Sequence, residues 1–190
     1  MFIYAHRGAS AVAPENTLLA VQEALNQQAD GVELDIHQHE NEFVIIHDQW
    51  LHRTTNGKGH LSDFTLAEIR QLDAGKGQQI PTLSEVMALI KGKCVLNIEI
   101  KGVNNVKQLV DYVELNAKLY GFDDQQIVYS SFHHPMLAAL RQYRPKARIG
   151  ALTASIPLDY AKFAQDLGAE SVKADVGFLD QAFVNDAKAR

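Results

Sequence analysis

The chain has 190 residues, 46% of them hydrophobic, enough for one domain with a packed core. A formal charge of -5, with Lys and Arg scattered, excludes a basic field for nucleic acid. The single cysteine excludes an internal disulfide, and no apolar run approaches the roughly 20 residues of a membrane helix.

Apolar runs predict strands at residues 2–5, 31–36, 42–46, 95–100, 126–130, 148–152 and 169–173, with amphipathic segments between most of them. The first strand, Phe2-Ile3-Tyr4-Ala5, runs into His6-Arg7-Gly8. A helix follows from about Thr17, with Leu18, Val21 and Leu25 on one stripe. Only His39-Glu40-Asn41 separates the second and third strands, too few residues for a crossover helix, so these two form a hairpin. Residues 48–79 are rich in Gly, Thr and Asn and read as an insertion beside the sheet. It carries a short helix near 66–72, opened by a capping box of Thr65 and Glu68. Thr82 and Glu85 form a second capping box ahead of Leu83, Val86 and Ile90. Cys94 lies in the run Cys94-Val95-Leu96 and reads as a buried core thiol. A helix over about 105–119 turns Val106, Leu109, Val110 and Val113 inward. Another opens at Pro135, a favoured first helical residue. The alternation of strands and helices predicts a parallel sheet with helices outside.

The strand ends carry the chemistry. Glu33 and Asp35 are two apart on a strand, so both point to the same side. Two adjacent carboxylates in an apolar run repel each other and resist burial, and a divalent cation would resolve the conflict; the alternative is a solvent-facing strand edge. Glu99 and Lys101 repeat the spacing in Ile98-Glu99-Ile100-Lys101. An acid there needs a partner. It is either a salt bridge or a third carboxylate for the same metal, with Lys101 facing an anionic substrate. His47 and Asp48 end the third strand. A turn at residues 40 and 41 pairs positions whose numbers total about 81, which brings Glu33 near His47. His6 and His47 then become two imidazoles at one site, each able to exchange a proton near neutral pH. His37 and His39 lie toward the hairpin tip, His52 and His60 in the insertion, and His133 and His134 at a strand-to-helix turn. All six read as ordinary surface or loop residues.

With these motifs assembled, the chain resembles the glycerophosphodiester phosphodiesterases. The resemblance rests on His6-Arg7-Gly8, Ala13-Pro14-Glu15-Asn16-Thr17, Gly31-Val32-Glu33-Leu34-Asp35 and Ile46-His47-Asp48. It continues through Arg53-Thr54-Thr55-Asn56-Gly57, Leu72-Asp73-Ala74-Gly75, Ile80-Pro81-Thr82-Leu83, Ile98-Glu99-Ile100-Lys101 and Ser130-Ser131-Phe132. It implies a TIM-type (β/α)8 barrel over residues 1–190, with a small insertion after the second strand and its chemistry at the C-terminal strand ends. It implies metal-dependent hydrolysis of glycerophosphodiesters to glycerol 3-phosphate and an alcohol, in which a glycerol hydroxyl can attack first to give a cyclic phosphate. Glu33, Asp35 and Glu99 match the metal ligands, for Mg²⁺ or Ca²⁺. His6 and His47 match the acid/base pair, and Arg7 and Lys101 the phosphate contacts. Glu15, Asn16, Asp48, Ser131 and Phe132 fall in supporting positions.

The count of barrel strands is about six of eight, so the last two are expected to be missing from this chain. Two open sheet edges would invite self-association into a homo-oligomer. Lys173 stands where the family often has an uncharged polar residue, and reads either as a headgroup contact or as a solvated side chain. Competing readings are a non-catalytic phosphodiester-binding relative and a lysophospholipase D-like activity on the same scaffold. The first motif leaves no room for a signal peptide, so the cytoplasm is the expected location.

Overall fold

The computed structural model describes residues 1–190. Seven strands form one sheet: β1 (Tyr4–His6), β2 (Gly31–His39), β3 (Glu42–Ile45), β4 (Val95–Gly102), β5 (Ile127–Ser131), β6 (Arg148–Thr153) and β7 (Ser171–Ala174). Six are parallel in the order β1-β2-β4-β5-β6-β7, and β3 pairs antiparallel with β2. The helices are α1 (Leu18–Asn26), α2 (Leu66–Ile69), α3 (Leu83–Ile90), α4 (Val106–Tyr120), α5 (His134–Tyr143), α6 (Lys162–Asp166) and α7 (Gln181–Ala189). The sheet curls as part of a TIM-type barrel, with helices outside, as the sequence implied.

Period-two alternation separates the two faces. On the outer face Val32, Leu34 and Ile36 of β2, Leu96, Ile98 and Ile100 of β4, and Ile149 of β6 pack against the helices. Val21 of α1, Leu83 and Met87 of α3, Leu109 and Val113 of α4, and Leu137 and Leu140 of α5 complete that layer. The alternate residues Glu33, Asp35, Asn97 and Glu99 are also buried, but on the inner face. The polar residues are therefore concentrated inside the curl, and packing energy comes mostly from the outer layer. There a Leu→Ala change costs about 2–5 kcal/mol.

Local rules set the helix ends. Thr17 caps α1, accepting from the Ala20 N–H. Both expected capping boxes form, at Thr65/Glu68 and Thr82/Glu85. The insertion has its own apolar cluster of Leu51, Leu61, Ile69 and Ala74, continuous with Val44 and Ile46 at β3. Arg70 beyond α2 clamps Glu85 of α3 through two hydrogen bonds of 2.5 and 2.7 Å. Cys94 is buried, as its run implied. No helix is long and apolar enough to cross a membrane.

Candidate active site

One edge of β2 organises the site. β1 runs parallel to it as far as the pair His6↔Glu33. β3 runs the opposite way, from His39↔Glu42 to Ile36↔Ile45, after which the Ile46 N–H donates to the Asp35 carbonyl at 3.1 Å. The two segments approach each other along the same edge. His6 and Arg7 arrive from one side and His47 from the other, toward the stretch where β2 presents Glu33 and Asp35. β4 supplies Glu99 from the far side, in register with Asp35.

The carboxylates of Glu33, Asp35 and Glu99 offer oxygens within 4.8 Å of one another, and all three residues are buried. Like charges this close raise the cost of ionisation. Burial first, and then Asp35, push the Glu33 carboxyl up to about 8, while the Arg7 backbone N–H donating to its Oε2 at 3.0 Å works the other way. Glu33 Oε1 has no hydrogen-bond partner. The Lys101 ammonium touches Glu99 Oε1 and lies 3.4 Å from Asp35 Oδ1. Three convergent hard oxygen donors, one of them without a partner, fit a divalent cation of the Mg²⁺ or Ca²⁺ type.

The other expected site residues surround this triad. Arg7 lies at φ 58°, and its Nε is 3.4 Å from Asp35 Oδ2. Gly8 follows at φ 76°, where an added Cβ would come within 2.6 Å of the Ala20 side chain, so this turn requires glycine. Asn16 is buried at φ 59°; its amide donates to Asp35 Oδ2 at 2.8 Å. Glu15 accepts from Arg7 Nη1 at 2.9 Å. His6 Nε2 lies 3.8 Å from Glu33 Oε2. Burial first, then Arg7, hold the His6 imidazole below its ordinary range. His47 Nδ1–H donates to Asp48 Oδ1 at 2.6 Å, which leaves Nε2 as its outward nitrogen. Lys101 sits 5.6 Å from the centre of the Phe132 ring. Ser131 plays a different part, because its hydroxyl donates to the Ile100 carbonyl and accepts from the His133 N–H. It ties β4 to the turn before α5.

Beside the triad opens a cavity of about 600 Å³, lined by His37, His47, Gln49, Trp50, Arg53 and Lys101 among others. Arg53 has a part its motif alone did not reveal. Its guanidinium donates to Asp48 and, through Nη1 and Nη2 at 3.0 and 2.8 Å, to Glu15. A continuous chain of charges runs Asp35–Arg7–Glu15–Arg53–Asp48–His47, joining the triad to the far histidine. The sequence signal was the run of opposite charges at 7, 15, 48 and 53, which carries meaning only once the insertion folds back.

Two histidines depart from expectation. His37 and His39 are buried rather than loop residues. His37 Nε2–H donates to the His47 carbonyl at 3.1 Å, and its ring fills the space that a side chain at Gly102 would need. His133 and His134 sit at the expected strand-to-helix turn. His133 caps α5, and His134 Nε2–H donates to the Leu152 carbonyl at 2.8 Å.

Residues 6–190 match the model of the glycerophosphoryl diester phosphodiesterase family. A glycerophosphodiester phosphodiesterase of Caldanaerobacter subterraneus subsp. tengcongensis is 42% identical over 160 residues, 79% of this chain and 65% of that protein. Glycerophosphodiester phosphodiesterase 1 of Mus musculus is 38% identical over 114 residues, 52% of this chain and 33% of that protein. The chain thus spans just under two thirds of the first relative's length. Among solved structures, an Oleispira antarctica phosphodiesterase in complex with the product sn-glycerol-3-phosphate superposes with a TM-score of 0.89 at 31% identity, covering 100% of this chain and 81% of that one. With this sequence match and this barrel architecture, the chain belongs to the glycerophosphoryl diester phosphodiesterase family.

Proposed function

We propose that this protein hydrolyses glycerophosphodiesters to glycerol 3-phosphate and an alcohol, using one divalent cation, Mg²⁺ or Ca²⁺. The observation that carries the reading is the convergence of three buried carboxylates, one with an unpartnered oxygen, at the strand edge that His6 and His47 approach from opposite ends. Glu33, Asp35 and Glu99 would hold the cation, which as a Lewis acid would offset charge on the phosphoryl oxygens. Arg7 and Lys101 bind and orient the phosphate beside it. Glu15 and Asn16 fix the loop that carries Arg7.

His6 takes the proton of the attacking hydroxyl, water's or the glycerol's own; in the second case the alcohol departs and a cyclic phosphate remains, which water then opens to glycerol 3-phosphate. The lowered basicity of His6 leaves it neutral and ready to accept at pH 7. His47 gives a proton to the departing alkoxide. The Asp48 carboxylate fixes its tautomer and suits a ring that carries positive charge during the reaction. The cavity beside His47 offers room for the alcohol.

The supporting experiment is an assay of H6A and H47A beside wild type, with circular dichroism to verify the fold. Each substitution removes most turnover of glycerophosphocholine while the fold persists. Full activity in either folded variant overturns the assignment.

A further inference from the structure

Lys173 is a cation inside the curl that the proposed reaction does not use; Arg148 of β6 shares that face but is paired with Glu170. Lys173 lies on β7, in register with Leu152 of β6. Alternation places it on the inner face with Ser171, beside Gly150. A Cβ built on Gly150 would lie 2.9 Å from Lys173 Cε and 3.2 Å from Ser171 Oγ, so the missing side chain at 150 is what makes room for the lysine stem. The stem crosses the interior to β1, where its ammonium sits 4.9 Å from the centre of the Tyr4 ring. That contact partly offsets the loss of hydration.

The surroundings are polar rather than packed. Asn97 is fully buried with neither amide atom hydrogen-bonded, and so is Ser130 with its hydroxyl unpaired. Register places Asn97 beside Glu33, and Ser130 between Glu99 and Gly150. Burial pushes the Lys173 ammonium down to about 8, against the pull of Glu33 and then Glu99, which act on it through space. An ammonium left in such a place needs anions nearby, and the two metal-ligand candidates supply them.

We propose that Lys173 is a positioning residue, a fixed positive charge inside the curl that steadies Glu33 and Glu99 before the divalent cation binds and then weakens the grip of the triad on it. The inference rests on the proposed function. A like charge near a cation site lowers affinity for the cation by simple Coulomb repulsion, by about tenfold for an incompletely screened charge at this depth. The same charge leaves the loaded site more positive toward an anionic phosphodiester.

The test is calorimetric titration of chelator-stripped protein with MgCl2 alone and CaCl2 alone, for wild type, K173M and K173Q. Thermal melts in chelator accompany each. The expected result is about tenfold tighter cation binding in both variants, together with a lower melting temperature of the metal-free protein and a larger rise on adding cation. A purely structural lysine would shift the melts and leave affinity unchanged, so equal or weaker affinity in a folded variant overturns the proposal. If K173M fails to fold, K173Q, whose amide suits the polar layer, decides by the same criterion. Wild-type protein that binds neither cation overturns the metal reading itself, and this inference with it.

Discussion

The Asn16 side-chain amide grips Asp35 twice, donating to Oδ2 at 2.8 Å and accepting from the Asp35 backbone N–H at 3.3 Å. Asn16 can do so because it adopts φ 59°, a conformation that asparagine tolerates better than most residues. The loop after β1 is thereby locked to the central carboxylate of the triad.

Asn16→Ala removes both bonds and leaves a buried carboxylate with fewer donors. The expected loss is about 1–3 kcal/mol of stability, with weaker cation binding because Asp35 is no longer held. Urea unfolding and cation titration check it. Unchanged stability would show that the lock has no energetic weight.

The roles of the histidines separate with an activated leaving group. On glycerophosphocholine, H47A loses at least about 100-fold in kcat, the usual scale of a proton donor. On a p-nitrophenyl phosphodiester, whose phenolate departs without a proton, the same variant loses less than about tenfold. H6A loses heavily on both substrates. Equal sensitivity of H47A to the two leaving groups would contradict the assignment.

Arg53 ties the insertion to the barrel through Glu15 and Asp48. Burial works to raise the Glu15 carboxyl, but hydrogen bonds from Arg53 and Arg7 outweigh it and hold it below its ordinary value. Asp48 is depressed likewise, burial being outweighed by hydrogen bonds from Arg53 and His47. A carboxylate with a depressed folded-state pKa contributes stability above its unfolded pKa, and that contribution is lost as pH falls through the folded value. Wild type therefore weakens below about pH 4.5 partly through these groups. Arg53→Met costs about 1 kcal/mol or less at pH 7, since the guanidinium is partly exposed. It also makes the acid limb shallower, as urea midpoints from pH 3 to pH 7 would reveal. Parallel curves for the two proteins would contradict the linkage.

Much of this arrangement was legible in the sequence because it is local. The hairpin length fixed the register, and its pairs, from His39↔Glu42 to Ile36↔Ile45, total 81 as a turn at 40 and 41 requires. On that register His47 lies past the end of the ladder, opposite Leu34 rather than Glu33, close to the level expected. The alternation of Glu33 with Asp35 and of Glu99 with Lys101 gave one shared face, and the capping boxes gave helix starts to the residue. What was hidden depends on distant chain. His37 and His39 look exposed at a hairpin tip, and His37 is enclosed only when β4 passes it at Gly102 and the chain beyond β3 brings the His47 carbonyl to its ring. Arg53 shows its part only when the insertion returns to Glu15. Lys173 points inward only because the sheet curls and Gly150 leaves space.

Glu99→Gln keeps the shape of the triad and removes one charge. Divalent cation affinity should fall by at least about tenfold, in line with the loss of one carboxylate from a hard-cation site, and glycerol 3-phosphate release should fall with it at fixed cation. Calorimetry with MgCl2 and CaCl2 reads the first effect directly. Wild-type affinity in E99Q would remove Glu99 from the ligand set.

The central claim meets its most direct test in the release of glycerol 3-phosphate from glycerophosphocholine, measured with Mg²⁺, with Ca²⁺ and with chelator. Release that requires one of these cations and stops with chelator is the predicted result. Release that is indifferent to chelator would contradict the role given to the three carboxylates, and no release from folded protein with either cation would contradict the proposed reaction.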